Sequence, residues 1–247
     1  MKEESKIVAQ NPLLQQALVS GSAVFNMDCI EFMRQVPDNF FHLAIVDPPY
    51  GLKIAKNGKI KANSKFDRGF KKDIDYGAKN WDNNVPTEEY WRELFRVSKN
   101  QIVWGGNFFL EYLGNTKCYI TWFKKGKDKN HRFSPTEWAW TSFDKKPIYI
   151  DYAWIGFGYI NQGEKKIHPT HKPIYVYDEL LKEFANEGDL ILDTHLGGGS
   201  SRISSHKAKM KFVGIEIDTE YFEKHEARWE NYLHITVEYW RCCLHRI

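Results

Sequence analysis

The sequence predicts an α/β protein with a doubly wound, mostly parallel sheet, and three observations lead to this fold class. First, short apolar runs typical of buried strands alternate with segments of helical period along the chain. Second, acidic residues follow two of those runs directly, since Asp47 follows residues 42–46 and Asp193 follows residues 190–192. Third, the 247 residues, of which 42% are hydrophobic, suffice for one domain with a full core. Because such sheets bind ligands at the carboxyl ends of their strands, we expect the functional residues there.

The first half of the chain is expected to contribute three strands to this sheet. Residues 1–22 predict a weakly structured lead-in. Pro86 suits the first turn of a helix, and Tyr90, Leu94 and Val97 follow it with helical spacing. The predicted elements are, in order, a strand at 23–26, a helix at 30–35, a strand at 42–46, a helix from 86 to 97 and a strand at 101–104.

The second half of the chain predicts four further strands. The helix predicted before the third of these has Val176, Leu180 and Phe184 on one face. Thr219 suits the N-cap of the last helix. The predicted elements are strands near 117–123 and 137–143, an irregular segment at 147–166, a helix at 174–185, a strand at 190–193, a helix at 202–210, a strand at 211–216 and a helix through 229.

The composition limits the class of protein. No segment approaches the ~18 consecutive apolar residues of a membrane span, and the polar start of the chain is unlike a secretory signal. We therefore expect a soluble, cytoplasmic protein without a membrane partner. The four cysteines have no C-x-x-C or His-paired spacing, which predicts reduced thiols and no metal site.

The tetrapeptide Asp47-Pro48-Pro49-Tyr50 places an acid, two rigid prolines and an aromatic ring at the end of a predicted strand. This set suits a flat ring that bears an exocyclic amine, such as adenine N6 or cytosine N4. The lone pair of that amine is delocalised, so a catalyst must accept its N–H protons as hydrogen bonds. Asp47 and the Pro48 carbonyl supply two acceptors that the prolines hold still. Tyr50 can stack on the ring, which must first be flipped out of a duplex.

A second constellation, Thr194-His195-Leu196-Gly197-Gly198-Gly199-Ser200-Ser201, joins a predicted strand to a predicted helix. Its glycines allow a ligand to approach the backbone closely, and the serines offer donors at the helix start. Glu216 ends the next strand about 20 residues later, the spacing of a carboxylate that accepts ribose hydroxyls. The pattern predicts a nucleoside-bearing cofactor. It contains neither G-x-G-x-x-G nor G-x-x-x-x-G-K-[ST], which disfavours nicotinamide dinucleotides and nucleoside triphosphates.

Together these motifs resemble those of the amino-group DNA methyltransferases, specifically the circularly permuted β class of N6-adenine enzymes. In that class D-P-P-Y precedes the S-adenosylmethionine loop, as Asp47 precedes Asp193 here. Residues 102–107 (IVWGGN), 133–140 (FSPTEWAW) and 168–173 (HPTHKP) are similar to three further family segments. The resemblance covers most of the chain. It implies a circularly permuted, seven-stranded methyltransferase sheet, adenine-N6 methylation of DNA and a place in restriction–modification.

The resemblance also implies which residues bind S-adenosylmethionine. Asp28 matches an acid that meets the adenine amine of the cofactor, and Thr170 and Lys172 match residues near its methionine carboxylate. The loop departs from the usual D-P-F-x-G-S-G, because it has no proline and has His195 where an aromatic residue usually packs. We expect His195 to stack on the cofactor and to transfer no proton. The expected cofactor-binding residues are Asp28, Cys29, Thr170, Lys172, Asp193, His195, Gly197, Gly199, Ser200, Ser201 and Glu216.

Two basic regions predict contact with DNA, although the net charge of the whole chain is only +3. Residues 51–80 hold nine basic and three acidic residues, a net charge of +6. A second cluster around Trp122 interleaves lysines with aromatic residues, which suits phosphate contact and base stacking. Insertions at 51–80 and 144–167 are the expected DNA-contacting parts of one domain, 1–247, and target choice could also need a homodimer or a partner subunit. The expected DNA-binding residues are Lys53, Lys56, Lys59, Lys61 and Lys65.

Three hypotheses stay open at the level of sequence, and adenine-N6 methylation of DNA is the first of them. An acid-Pro-Pro-aromatic site also serves methylation of cytosine N4, of RNA and of a glutamine amide. A decayed homologue that binds DNA without turnover is a third possibility, because the 193–199 loop is altered. Methylation at a ring carbon of cytosine is disfavoured, since no cysteine follows a proline in this chain.

Overall fold

A computed structural model describes residues 11–51, 59–60, 74–75, 85–124, 134–154 and 166–244. These residues form ten strands: β1 (Ser22–Asn26), β2 (Phe41–Val46), β3 (Lys59–Ile60), β4 (Ile74–Asp75), β5 (Ser98–Trp104), β6 (Tyr119–Phe123), β7 (Thr136–Thr141), β8 (Ile148–Asp151), β9 (Leu190–Asp193) and β10 (Lys211–Glu216).

The helices of the described residues flank these strands. They are α1 (Pro12–Ser20), α2 (Cys29–Met33), α3 (Glu88–Val97), α4 (Leu110–Leu113), α5 (Ile174–Phe184), α6 (Ser200–Lys207) and α7 (Thr219–Leu244), with a 3₁₀ turn at Gly106–Phe108. None of them is both long and apolar enough to cross a membrane.

Eight of the strands form one sheet in the order β1-β10-β9-β2-β5-β7-β6-β8, and β3 pairs with β4 separately. Within the large sheet β7 runs antiparallel to β5 and β6, and the remaining neighbours are parallel. The sheet is therefore mostly parallel, as predicted. It has eight strands and not seven, because residues 148–151, expected to be irregular, pair in parallel with β6.

Helices cover both faces of the sheet, as in a doubly wound fold. The alternation of β2 shows this directly, because Leu43 and Ile45 face one apolar cluster while Ala44 and Val46 face the other. Helix α5 packs in the first cluster, and α1, α2 and α3 pack in the second. Burial on both faces explains why these strands read as continuous apolar runs.

The largest differences from the predicted boundaries lie in the first and last helices. Helix α1 lies within the expected lead-in, where the Asn11 side chain accepts a hydrogen bond from Leu13 N (2.9 Å) and Gly21 ends the helix at φ +70°. The last helix is capped by Asp218, which accepts from the backbone N–H of Glu220 and Tyr221, and not by Thr219. That helix also continues past residue 229 to Leu244.

Candidate active site

Asp47 stands just beyond the carboxyl end of β2, in the middle of the sheet beside β9. Both of its carboxylate oxygens have partners. Oδ1 accepts a hydrogen bond from the Tyr50 hydroxyl, and Oδ2 lies 2.5 Å from Nζ of Lys172. The Asp47 side chain is 14% exposed and that of Lys172 only 3%. The Asp47 carboxylate is therefore held in place by Tyr50 and Lys172 and is not freely solvated.

Lys172 joins Asp47 to a second acid, Glu137 of β7. Its Nζ lies 3.2 Å from Oε2 of Glu137 and 5.0 Å from the ring centre of Trp104. Burial alone would lower the pKa of Lys172, but the Asp47 and Glu137 carboxylates raise it above its ordinary value. Lys172 is thus a fixed cation in this site.

The Tyr50 ring is held by close packing. Gly105 has φ +65°, and a Cβ on it would come within 2.3 Å of the Tyr50 ring, so only glycine leaves room there. Phe108 stacks on the tyrosine with ring centres 4.9 Å apart and planes 16° apart. Phe108 is itself 44% exposed, so this aromatic pair continues from Asp47 to the protein surface.

The loop after β9 is organised from beneath by Asp193. One carboxylate oxygen of Asp193 accepts from His195 N (3.0 Å) and the other from the Ser201 hydroxyl (2.6 Å). Burial raises the pKa of Asp193 to about 7. Asp193 and Ser201 are buried and do not line the cavity above them, so they shape the loop.

His195 lies between the loop and helix α3. Its ring meets Tyr90 edge-on at 5.4 Å, and its Nδ1 lies 2.9 Å from the Thr194 hydroxyl. Burial lowers the pKa of His195 to about 4, so the imidazole is neutral near pH 7. A neutral ring that lines the cavity can stack on a ligand without carrying charge.

Histidines outside the predicted site fill the space behind the loop glycines. A Cβ on Gly198 would lie 2.4 Å from the His171 ring, and one on Gly199, at φ +70°, would lie 1.9 Å from His225. His171 also lies 3.0 Å from the Ser200 hydroxyl. Gly198 and Gly199 are therefore needed for close packing against these histidines, and sequence spacing gave no signal for His225.

Two further acids stand at the ends of β10 and β1. Glu216 accepts hydrogen bonds from Gly197 N (2.8 Å) and Asp218 N (2.9 Å), so it holds the glycine loop against the end of its strand. Burial raises its pKa. Asp28 caps α2 by accepting from Ile30 N at 2.8 Å. Burial and then Asp28 raise the pKa of the neighbouring Cys29 thiol to about 12, which keeps it neutral.

One cavity collects most of the predicted residues. Asp47 and Pro49 line it at one end, and Glu216, Asp28 and Cys29 line it as well. Met27, His168, His171 and Tyr177 line it too, although they were not predicted. The other predicted residues in its wall are Thr170, Lys172, His195, Gly197, Gly199 and Ser200.

The predicted DNA-contacting lysines lie largely outside the described residues. Lys53, Lys56, Lys61 and Lys65 fall there, and of Lys59 only the backbone, in β3, is described. The second cluster differs from its prediction where it is described. Trp122 is 1% exposed and packs against Trp104, so it is a core residue and not a surface for base stacking. Lys124 is paired with Glu137.

Comparison with known proteins gives a match to one family. The family model described as DNA methylase, for N6 and N4 enzymes, matches residues 98–227, just over half of the chain. This range includes the glycine loop and Glu216 but begins after Asp47. The type II methyltransferase M.HpaI of Haemophilus parainfluenzae is 22% identical over 258 residues, which cover 88% of this chain and 75% of that protein.

Solved structures share the fold at low identity. The complex of M1.HpyAVI with S-adenosylmethionine aligns with a TM-score of 0.53 and 18% identity, covering 84% of this chain and 99% of that one. The cytosine-N4-specific PvuII DNA methyltransferase aligns with a TM-score of 0.54 and 12% identity, covering 83% and 85%. The sheet described above is therefore the fold of DNA methyltransferases.

Proposed function

This chain belongs to the N6/N4 DNA methylase family, and from that premise we propose that it transfers a methyl group from S-adenosylmethionine to N6 of a flipped-out adenine in DNA. One observation carries the proposal. Asp47, at the end of β2, opens into the same cavity as the glycine loop and Glu216. An amine held at Asp47 would thus lie next to a nucleoside cofactor held by the loop.

In this proposal Asp47 accepts a hydrogen bond from the target amine. The bond draws the amine hydrogen into the plane of the carboxylate and leaves the nitrogen lone pair free to point at the cofactor. The Pro48 carbonyl is the second acceptor. Because Lys172 holds Oδ2 of Asp47 at 2.5 Å, the carboxylate is oriented before the base arrives. The carboxylate of Asp47 can therefore position the reacting nitrogen without having to move itself during the reaction.

The residues at the other end of the cavity suit S-adenosylmethionine. Glu216 and Asp28 are carboxylates at the ends of neighbouring strands, which fits the hydroxyls of a ribose and the amine of an adenine. The three glycines line the cavity, and residues without side chains let a ligand approach the backbone closely. Neutral His195 adds a ring for stacking. Bound here, S-adenosylmethionine would supply the electrophilic methyl group.

Thr170 and Lys172 were expected near the methionine carboxylate of the cofactor. Thr170 lines the cavity beside His168, whose Nδ1 lies 3.0 Å from the Thr170 hydroxyl. Lys172 lines it too, but its ammonium is already engaged by Asp47 and Glu137. We therefore assign Lys172 to the acceptor of the target amine and leave the cofactor carboxylate to Thr170 and the loop.

Adenine is preferred to cytosine because the acceptor at position 47 is aspartate, which the β class of N6-adenine enzymes uses in its D-P-P-Y motif. The alternative is cytosine N4, since the fold is shared with the cytosine-N4-specific PvuII enzyme. Residues 51–80 are proposed to bind DNA phosphates. The naming of M.HpaI as a type II methyltransferase supports a place for this chain in restriction–modification, and a homodimer or partner subunit remains part of the proposal.

Nucleoside analysis tests the function. The protein is incubated with unmethylated DNA and S-adenosylmethionine that carries a labelled methyl group, and the digested nucleosides are separated by mass spectrometry. We expect the label in N6-methyl-2′-deoxyadenosine from the DNA. Label in N4-methylcytosine would select the cytosine alternative, and cofactor binding without any labelled nucleoside would indicate a decayed homologue.

A further inference from the structure

Four charged side chains follow one another from the end of β6 to Asp47. Lys124, just after β6, pairs with Oε1 of Glu137. The other oxygen of Glu137 lies 3.2 Å from Nζ of Lys172, and Lys172 pairs with Asp47 at 2.5 Å. The charges alternate in sign along this row. We call Lys124, Glu137, Lys172 and Asp47 the charge row.

Glu137 of the charge row is not among the residues of the proposed methyl-transfer site. It belongs to residues 133–140, which resemble a family segment, and it lies in β7 opposite Trp122 of β6. Its Oε2 is buried, with Lys172 as its neighbour at 3.2 Å. A buried carboxylate oxygen is costly unless a cation compensates for it. Here that cation is the one that holds the acceptor of the target amine.

A lysine held only by Asp47 would be poorly placed. The lysine side chain has four flexible carbons, and its ammonium group can donate hydrogen bonds to a carboxylate from many directions. Glu137 from β7 and the Trp104 ring at 5.0 Å restrict the ammonium from two further sides. Three contacts from β2, β5 and β7 thus fix a group that no single partner could fix.

We propose that Glu137 is a positioning residue for methyl transfer, which acts through Lys172 to hold the carboxylate of Asp47 in its accepting orientation. The inference rests on the proposed function of Asp47. Without Glu137, Lys172 keeps one carboxylate partner and can shift along it, so Oδ1 of Asp47, the oxygen that Lys172 does not hold, loses its fixed direction. Binding of cofactor or DNA does not depend on this direction, but the rate of the chemical step does.

The charges around Lys172 predict the pH behaviour. Burial disfavours the protonated form of Lys172, while Asp47 and Glu137 favour it and together raise its pKa. The other ammonium groups nearby are Lys166, which interacts with Lys172, and Lys124, which shares Glu137 with it. Tyr177 and His168 border the same space. Because Glu137 raises the pKa of Lys172, its replacement by glutamine lowers that pKa. The alkaline loss of methylation should then begin at lower pH in the variant.

The experiment compares Glu137→Gln with a matched control, Glu183→Gln. Glu183 pairs with Lys145 at 3.1 Å, but both side chains are well exposed and neither belongs to the charge row. Single-turnover methylation is measured across pH at saturating cofactor and DNA. In parallel, NMR of ¹⁵N-labelled lysine ammonium groups follows Lys172, whose signal is assigned by its loss in Lys172→Arg.

For Glu137→Gln we expect the rate to fall by about 10-fold or more, as for misplacement of a reacting group, with affinities for cofactor and DNA kept. The Lys172 ammonium signal should shift and its protons should exchange faster with water. Glu183→Gln should leave all of these unchanged. An unchanged Lys172 signal in Glu137→Gln would overturn the coupling, and a wild-type rate and pH profile would overturn the positioning role. A shifted signal in a protein that methylates nothing even as wild type would show that the proposed function fails while the charge row stands.

Discussion

The Tyr50 hydroxyl donates a hydrogen bond to Oδ1 of Asp47, three residues before it in the chain. Since Lys172 holds the other oxygen, both oxygens of the proposed acceptor are engaged within the protein. An incoming amine must either displace the tyrosine hydroxyl or share Oδ1 through its second lone pair. The tyrosine ring itself is restrained by Gly105 and Phe108, so the ring keeps its place in either case.

Tyr50→Phe distinguishes the role of the Tyr50 ring from that of its hydroxyl. The variant keeps the aromatic surface and frees Oδ1 of Asp47, so we expect methylation to stay within about 10-fold of wild type. Tyr50→Ala removes the ring and should weaken binding of the flipped base by ~1–3 kcal/mol, the range for base–aromatic stacking. Steady-state kinetics with DNA as the varied substrate measures both. Equal losses in the two variants would mean that the hydroxyl, and not the ring, is the functional part.

Glu216→Ala tests the cofactor end of the cavity. Loss of its charge-assisted hydrogen bonds should weaken S-adenosylmethionine binding by roughly 1.5–3 kcal/mol, while DNA affinity without cofactor is kept. The same carboxylate holds Gly197 N and Asp218 N, so calorimetry is done well below the melting temperature of the variant. Unchanged cofactor affinity in the folded variant would remove Glu216 from the cofactor site.

Asp193→Asn should change how stability depends on pH. The folded protein keeps a proton on Asp193 up to about pH 7, whereas the unfolded chain releases it near pH 4. In wild type this group therefore lowers the free energy of unfolding as pH rises through that window, and the asparagine variant lacks the effect. As pH rises through this window, the free energy of unfolding of the variant should increase relative to that of wild type by up to about 4 kcal/mol. Urea denaturation at several pH values measures this difference, and Asp151→Asn, at an exposed position, is the control. If the free energy of unfolding of Asp193→Asn and of wild type changed in parallel with pH, the raised pKa of Asp193 would be contradicted.

The basic segment after Tyr50 is tested by salt dependence. Each phosphate neutralised by a lysine steepens the dependence of log K on log salt by about 0.9. Changing Lys56, Lys59 and Lys61 together to glutamine should lower the slope by roughly 1 to 3 units and weaken binding alike for all DNA sequences. Fluorescence titrations at several salt concentrations measure the slope. A wild-type slope in the triple variant would mean that these lysines face only solvent.

Local sequence predicted the parts of this molecule that depend on neighbours in the chain. The buried strands of the sheet centre carry continuous apolar runs, and parallel strands bring their carboxyl ends together, so Asp47 and Asp193 were expected at one edge. The prediction was wrong for β8 and α1. Residues 148–151 form a strand because β6 offers a pairing edge, and α1 depends on a cap at Asn11 and on Leu14 in the core.

Contacts between distant segments could not be read from the sequence. Lys172 lies 125 residues from Asp47 in the chain. The family resemblance predicted that it lies near the methionine carboxylate of the cofactor. Its pairing with Asp47 and Glu137 depends on how β2, β7 and the chain before α5 meet in space. Trp122 was expected to face DNA because lysines surround it in sequence, yet alternation along β6 turns it into the core.

The most direct test of the account is the rate of methyl transfer to adenine N6 by Asp47→Ala. The variant is mixed with unmethylated DNA and labelled S-adenosylmethionine in single-turnover conditions, and its affinity for the cofactor is measured by calorimetry. Loss of a preorganised acceptor should reduce the rate at least ~10²-fold and leave the cofactor affinity almost unchanged. A variant that produces labelled N6-methyl-2′-deoxyadenosine at nearly the wild-type rate would contradict the assignment of Asp47 as the acceptor of the target amine.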